Sequence, residues 1–356
     1  MSKRFEDRLA KLRKELSARG LDGLYICGEP NVAYFTGKKG NDCALYVTGD
    51  EAYIITDFRY REMAQQFTWL TYFEQFSGKF LYDLLNSRPE KRIGIEKDRI
   101  LYSQVLALKD KCPEKEFVPV EDIVLALREV KDEFEIEATR KACAVAMKAF
   151  DHMCGFLRPG LTEREAAAEL EHFMKMNGAE DLSFDTILIT GAKTSLPHGV
   201  PGDEVIKKGD FVTMDYGCKV DGYCSDETRT VAVGQPTQEM IDVYNIVLEA
   251  QLNACNNIHA GLTGKQCDSF ARDVIEKAGY GEYFGHSLGH GTGLEIHESP
   301  RYAQTNNEPI KAGTIVSIEP GIYLPGKFGV RIEDLALVTE KGIINFVTAP
   351  KELIIL

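Results

Sequence analysis

The segment PGLTEREAAAELEHFMKMNGA, from Pro159, returns as AGLTGKQCDSFARDVIEKAGY, from Ala260. Gly160, Leu161 and Thr162 match Gly261, Leu262 and Thr263 at an offset of 101, and Gly178 matches Gly279. In each copy a Gly-Leu-Thr start and a terminal glycine bracket an amphipathic pattern, so each reads as a helix with a hydroxyl N-cap and a glycine C-cap. A further predicted helix precedes each copy, over about 132–156 and 238–258. After each comes a segment with one histidine, His198 or His297, and then a predicted β-hairpin. Such a chain folds into two pseudo-equivalent halves, and a site shared by them belongs at their common axis.

The first hairpin is DYGCKVDGYCSDETRT, Asp215 to Thr230. Asp221-Gly222 between two strand-like runs is a strong local turn signal. With those residues as the loop, Val220 pairs with Tyr223, and Asp215 falls opposite Thr228. Asp226 then shares a face with Asp215, because strand side chains alternate with a period of two. Two carboxylates so placed repel unless something cationic sits between them. Taken alone, the pair fits either a metal site or two solvated turn acids. The second hairpin, Thr314 to Glu319 and Val330 to Val338, carries Glu319 and Glu333 in corresponding places. Glu333 lies inside an apolar run, where an acid is costly to bury unless paired or coordinated. Alternation turns Glu227 and Asp334 outward.

At 356 residues the chain exceeds one comfortable core, so two domains are expected. A predicted helix from Arg4 to Arg19 is followed by strand-like runs at Gly23–Cys27, Cys43–Val47, Ala52–Thr56, Arg92–Glu96 and Phe117–Val120, with a helical stretch near Phe80 to Leu85. That alternation predicts an α/β N-terminal domain over 1–125, with the repeat-bearing domain over 126–356. It holds no phosphate-cradling glycine loop, and Asn31 to Lys38 reads as a surface loop. The net charge of −13 argues against nucleic acid. No apolar run approaches the ~20 residues that cross a bilayer, and nothing in the charged, amphipathic start reads as a signal peptide. Nine scattered cysteines without a CxxC pattern point to reduced thiols in a cytoplasmic protein.

Four carboxylates and one imidazole form a hard donor set suited to Mn, Co or Zn. The imidazole is His290, flanked by Gly289 and Gly291 in a stretch that also holds His286 and His297. His152, His172 and His259 sit in helical stretches without partners.

These motifs resemble those of the pita-bread metallopeptidases, which include Xaa-Pro aminopeptidase, Xaa-Pro dipeptidase (prolidase) and methionine aminopeptidase. Asp215, Asp226, His290, Glu319 and Glu333 occur in the family's order of metal ligands, and TSLPHG, HGTGLEIHE and RIED resemble its motifs. The resemblance implies an α/β creatinase-type N-terminal domain ahead of an α+β pita-bread domain with pseudo-twofold symmetry. It implies two divalent ions, Mn2+ first, with Co2+ and Zn2+ as alternatives. Asp226 and Glu333 would bridge them, Asp215 would complete one, and His290 with Glu319 the other. A bridging water, acidified to hydroxide, would attack the scissile carbonyl. Glu319 would relay the proton, and His198 and His297 would hold the carbonyl and stabilise the tetrahedral intermediate. Arg331, beside Glu333, either orients a carboxylate or is a surface arginine. Arg301 resembles an arginine that binds a dipeptide's C-terminal carboxylate in prolidases.

The implied substrates are peptides with proline second, without nucleic acid or membrane as partner, and the implied assembly is a homodimer. The N-terminal domain disfavours methionine aminopeptidase. The retained ligands disfavour creatinase and a non-catalytic peptide-binding protein. The expectation leads with an aminopeptidase on longer peptides and keeps a dipeptidase as its alternative.

Overall fold

A computed structural model describes residues 2–38, 42–121 and 123–356. The chain packs as two compact units, Met1–Arg128 and Glu129–Leu356.

The first unit is built on a six-stranded sheet of β1 (Gly23–Ile26), β2 (Ala44–Thr48), β3 (Ala52–Thr56), β4 (Thr71–Glu74), β5 (Arg92–Glu96) and β6 (Glu116–Val120), in the order β4-β3-β2-β1-β5-β6. Antiparallel β1–β2–β3 form its centre, and parallel partners flank them on both sides. The Asn31–Lys38 expectation is corrected here. Most of that segment lies in the helix Glu29–Thr36, whose residues from Asn31 onward are buried. Pro30 starts this helix and Gly37, in the left-handed region at φ 71°, ends it. Because it is covered on every side, no helical period marks its sequence. Asn31 donates to the buried Glu96 (2.5 Å), which also accepts from the backbone N–H groups of Cys27 and Gly28.

In the second unit the repeat of the sequence is a repeat of structure. Helices Glu163–Met176 and Gly264–Lys277 are each capped by a threonine, Thr162 or Thr263, whose hydroxyl accepts from the N–H three residues on. That side chain and the Glu165 or Gln266 opposite it satisfy two otherwise orphaned donors. Gly160 and Gly261 take left-handed φ values of 97° and 89° just ahead of them. Helices Glu133–Phe156 and Gln238–Asn257 pack beside the pair.

Each half contributes a sheet. The first has the order Glu227–Val233, Asp210–Tyr216, Ile187–Thr190, and the second is centred on Ile315–Ile318 and Asp334–Thr339. Alternation divides their side chains between two cores. Val212, Met214 and Val231 pack with the helices of the first half, whereas Phe211 and Ala232 pack with the second half. Conversely Val316 and Ala336 pack with the second half's own helices, and Ile315 and Leu335 with the first half. The sheets therefore face each other, with helices over both outer faces, the arrangement expected of a pita-bread domain.

That layering overturns one expectation. Glu227 and Asp334 do point away from the inner faces, but the outer faces carry helices rather than water, and both residues are 0% exposed. Asp334 is satisfied by Arg229, Gln251 and Lys351. Both carboxyl oxygens of Glu227 lack a hydrogen-bond partner among the described residues, and burial pushes its pKa up to about 7. Between about pH 4.5 and 7 the unfolded chain ionises at this residue while the folded chain keeps its proton, so stability falls across that window. Glu227→Gln is therefore expected to stabilise the chain by about 2 to 3 kcal/mol above pH 7 and by nothing at pH 4. Urea denaturation at the two pH values checks this; equal gaps would contradict it.

Candidate metal centre

The first hairpin forms as its sequence dictates. Val220 pairs with Tyr223, and Asp221 and Gly222 have φ values of 51° and 83°, both positive as a two-residue primed turn requires. Farther along, Thr228 lies across from Asp215. Gly217 sits where a Cβ would come within 2.0 Å of the Ser225 carbonyl oxygen, so only glycine lets the strands close there. Asp215, on the strand Asp210–Tyr216, and Asp226, directly ahead of the strand Glu227–Val233, consequently come close enough for their charges to oppose one another.

Asp226, His290 and Glu333 each offer a donor atom within 4.8 Å of the others, and all three are buried. His290 Nε2 lies 3.5 Å from Asp226 Oδ2 and 3.4 Å from Glu319 Oε1. The other ring nitrogen, Nδ1, is 3.0 Å from the carbonyl oxygen of Gly291. With that nitrogen donating, the Nε2 lone pair faces the carboxylates, the tautomer a metal ligand needs. Ser317 Oγ donates to Glu319 Oε1 at 3.0 Å.

Thr228 joins the halves. Its hydroxyl accepts from Arg331 Nε at 3.1 Å and donates to Glu333 Oε2 at 2.6 Å, and its backbone bridges to Glu333. Arg331 is 4% exposed, which removes the surface-arginine alternative. Its Nη2 donates to Asp215 Oδ2 at 2.6 Å and its Nη1 to Tyr323 Oη at 2.9 Å; that hydroxyl lies 2.9 Å from His286 Nε2. Thr228, Tyr323, Ser317 and His286 are site residues that sequence reasoning did not assign. Thr228 was legible as the cross-strand partner of Asp215. Tyr323 carries no local signal at all.

All five expected ligands line one cavity of about 1090 Å3, together with His198, His297, Arg301 and Arg331. The His297 ring stands edge-on to His290 with centroids 4.4 Å apart. Arg301 pairs with His290 across adjacent strands, on the same face, and its guanidinium forms no ion pair among the described residues.

The electrostatics test whether a cation fits. Burial, then Glu333, Asp215 and Glu319, push the Asp226 carboxyl well above the usual carboxylate range. Burial, then Glu319 and Asp215, do the same to Glu333. Asp215 Oδ1 is buried without a hydrogen-bond partner among the described residues. Burial holds the His290 imidazole toward its neutral form. Crowded oxygens, an orphaned carboxylate oxygen and a neutral imidazole together make a donor set that hard divalent ions satisfy.

Comparison with known proteins agrees with this chemistry. Residues 137–340 match metallopeptidase family M24, and residues 8–130 match the creatinase/prolidase N-terminal domain. The sequence is 41% identical to the Xaa-Pro dipeptidase of Pyrococcus furiosus over 98% of this chain and 100% of that protein. Among solved structures, an Xaa-Pro dipeptidase from Bacillus anthracis superposes with a TM-score of 0.95 at 41% identity, covering 99% of this chain and 100% of its own. An X-Pro aminopeptidase from Thermotoga maritima superposes with a TM-score of 0.90 at 38% identity, covering 95% of this chain and 98% of its own. No helix among the described residues is long and apolar enough to cross a membrane.

Proposed function

The chain belongs to metallopeptidase family M24, with a creatinase/prolidase N-terminal domain ahead of the catalytic one, and on that footing we propose that it is a manganese-dependent Xaa-Pro dipeptidase. The sequence led with an aminopeptidase on longer peptides. The relatives above favour the dipeptidase, and one observation carries it: Arg301, unpaired among the described residues, lines the same cavity as His290 and the four carboxylates. A cation so placed suits the free C-terminal carboxylate that a dipeptide brings and that a longer peptide carries elsewhere. The Thermotoga maritima neighbour keeps an aminopeptidase as the second reading.

Asp226 and Glu333 would hold two ions between them, with Asp215 on one and His290 and Glu319 on the other. Divalent ions bound there supply an acidified water and a polarised scissile carbonyl. The chain's own residues do the rest. Arg331 and Thr228 fix Asp215 and Glu333 in place. Glu319, whose pKa burial raises, is suited to take a proton and pass it to the leaving amine. His198 and His297 hold the carbonyl oxygen as charge develops on it. Oxygen and imidazole donors suit Mn2+, with Co2+ and Zn2+ as substitutes. A homodimer, carried over from the family likeness, and a cytoplasmic setting, argued from the scattered cysteines, complete the proposal.

Rates on an Xaa-Pro dipeptide, its C-terminal amide and an Xaa-Pro-Yaa tripeptide test the substrate class. The dipeptide is expected to be cut fastest, and Arg301→Met to raise its KM about 10- to 100-fold, the loss of one charge-assisted contact, while leaving the amide unchanged. Faster turnover of the tripeptide, untouched by that variant, would establish the aminopeptidase instead.

A further inference from the structure

A buried glutamate paired with a lysine stands behind each histidine-bearing loop. Glu163, in the first turn of the helix Glu163–Met176, is 0% exposed. Its Oε1 accepts from the Thr190 N–H at 2.8 Å, and its Oε2 accepts from the Gly202 N–H at 2.8 Å and from Lys193 Nζ at 2.7 Å. One carboxylate thus ties both ends of segment 190–202, with His198 between them.

In the second half Glu298 directly follows His297. Its Oε2 accepts from Lys131 Nζ at 2.9 Å, both side chains being 1% exposed, and its Oε1 accepts from the Glu295 N–H at 3.1 Å. A Cβ on Gly293 would come within 2.7 Å of both Glu298 oxygens, so a side chain there would have to displace this carboxylate from the turn. Thr292 Oγ1 donates to the Ile296 carbonyl at 3.0 Å and closes the same turn.

Buried ion pairs gain little stability over apolar side chains of similar size. Lys131–Glu298 is such a pair, and Glu163 is a buried carboxylate whose lysine, Lys193, is 19% exposed and shared with Glu204; each carboxylate, wrapped by the loop that carries a site histidine, serves geometry instead. We infer that Glu163 and Glu298 are positioning residues that set His198 and His297 against the scissile carbonyl. Neither lines the cavity; each acts through its histidine. The inference rests on the dipeptidase reading and its assignment of the two histidines.

The test is a pair of double-mutant cycles on the intact, manganese-loaded chain with an Xaa-Pro dipeptide: Glu298→Gln with His297→Ala, and Glu163→Gln with His198→Ala. Glutamine keeps the shape but has one acceptor oxygen where each carboxylate uses two: Glu163 for the Thr190 and Gly202 N–H groups, Glu298 for the Glu295 N–H and Lys131. Each glutamine variant is expected to lower kcat about 10- to 100-fold, with KM within about threefold and bound manganese unchanged, as misplacement of a group active in the transition state does. Each double variant is expected to be no slower than its alanine parent, because a displaced histidine that is already absent costs nothing further. If Glu298→Gln does not fold, Lys131→Met/Glu298→Gln, which removes both buried charges, takes its place in the cycle. Glutamine effects that multiply in full through the alanine backgrounds, or an unchanged kcat, overturn the inference alone. Alanine variants with unchanged kcat overturn the histidine assignment beneath it and the inference with it.

Discussion

Asp226→Ala is expected to abolish hydrolysis of Xaa-Pro dipeptides, lowering kcat/KM at least about 1000-fold. Asp226 is one of three buried residues whose donor atoms converge within 4.8 Å. It would be shared by both ions, so its removal dismantles the centre rather than trimming it. Transition-state charge stabilisation by metal is worth several kcal/mol, and about 4 kcal/mol corresponds to that factor. The variant should nevertheless fold. Burial and three neighbouring carboxylates disfavour the Asp226 charge, so deleting it relieves repulsion in the metal-free chain. The signature is a melting temperature equal to or above that of metal-free wild type, together with loss of the increase that manganese gives wild type. Activity within tenfold of wild type would contradict the assignment.

Arg229→Leu is expected to be the most damaging single change to stability, at about 3 to 5 kcal/mol. Arg229 is 1% exposed and donates to the carbonyl oxygens of Thr228, Glu333, Ala349 and Pro350 and to Asp334 Oδ1. It thereby ties the strand Glu227–Val233, which Asp226 directly precedes, to Glu333 and to the C-terminal segment. Without it Asp334, 0% exposed, loses a main counter-charge and four carbonyls lose a donor. For Asp334, burial alone would raise the carboxyl, but Arg229 and Lys351 together hold it below the usual range. A depressed carboxylate contributes stability above its unfolded value near pH 4, and that contribution fades as pH falls through the folded value. The deficit of the variant should therefore be full at pH 7 and smaller at strongly acidic pH. Urea titrations at the two pH values read this directly, and a cost below about 1 kcal/mol at pH 7 would show that the pair is dispensable.

What the sequence disclosed was what local physics determines. The Asp221-Gly222 turn and strand alternation fixed the Asp215–Thr228 register, which the structure holds. The paired helices were legible because caps and terminal glycines act within a few residues of themselves. Contacts between the halves were not legible. Thr228 meets Glu333, and Arg331 meets Asp215, across more than 100 residues of chain. Glu227 and Asp334 failed for a related reason. Alternation identifies the face of a strand, but whether helix or water covers that face is decided by distant segments. The helix Glu29–Thr36 was missed because its burial on all sides erases the period that would reveal it. Arg331 was left ambiguous for want of a local rule that separates a surface arginine from one held among carboxylates.

The most direct test of the whole account is calorimetric titration of the chelator-stripped chain with Mn2+ while hydrolysis of an Xaa-Pro dipeptide is followed in the same samples. The account predicts an inactive stripped protein, recovery of activity as two ions bind per chain, and no recovery in Asp226→Ala. Full hydrolysis by the stripped protein in chelator, or no cleavage of any Xaa-Pro dipeptide once the ions are bound, would contradict it.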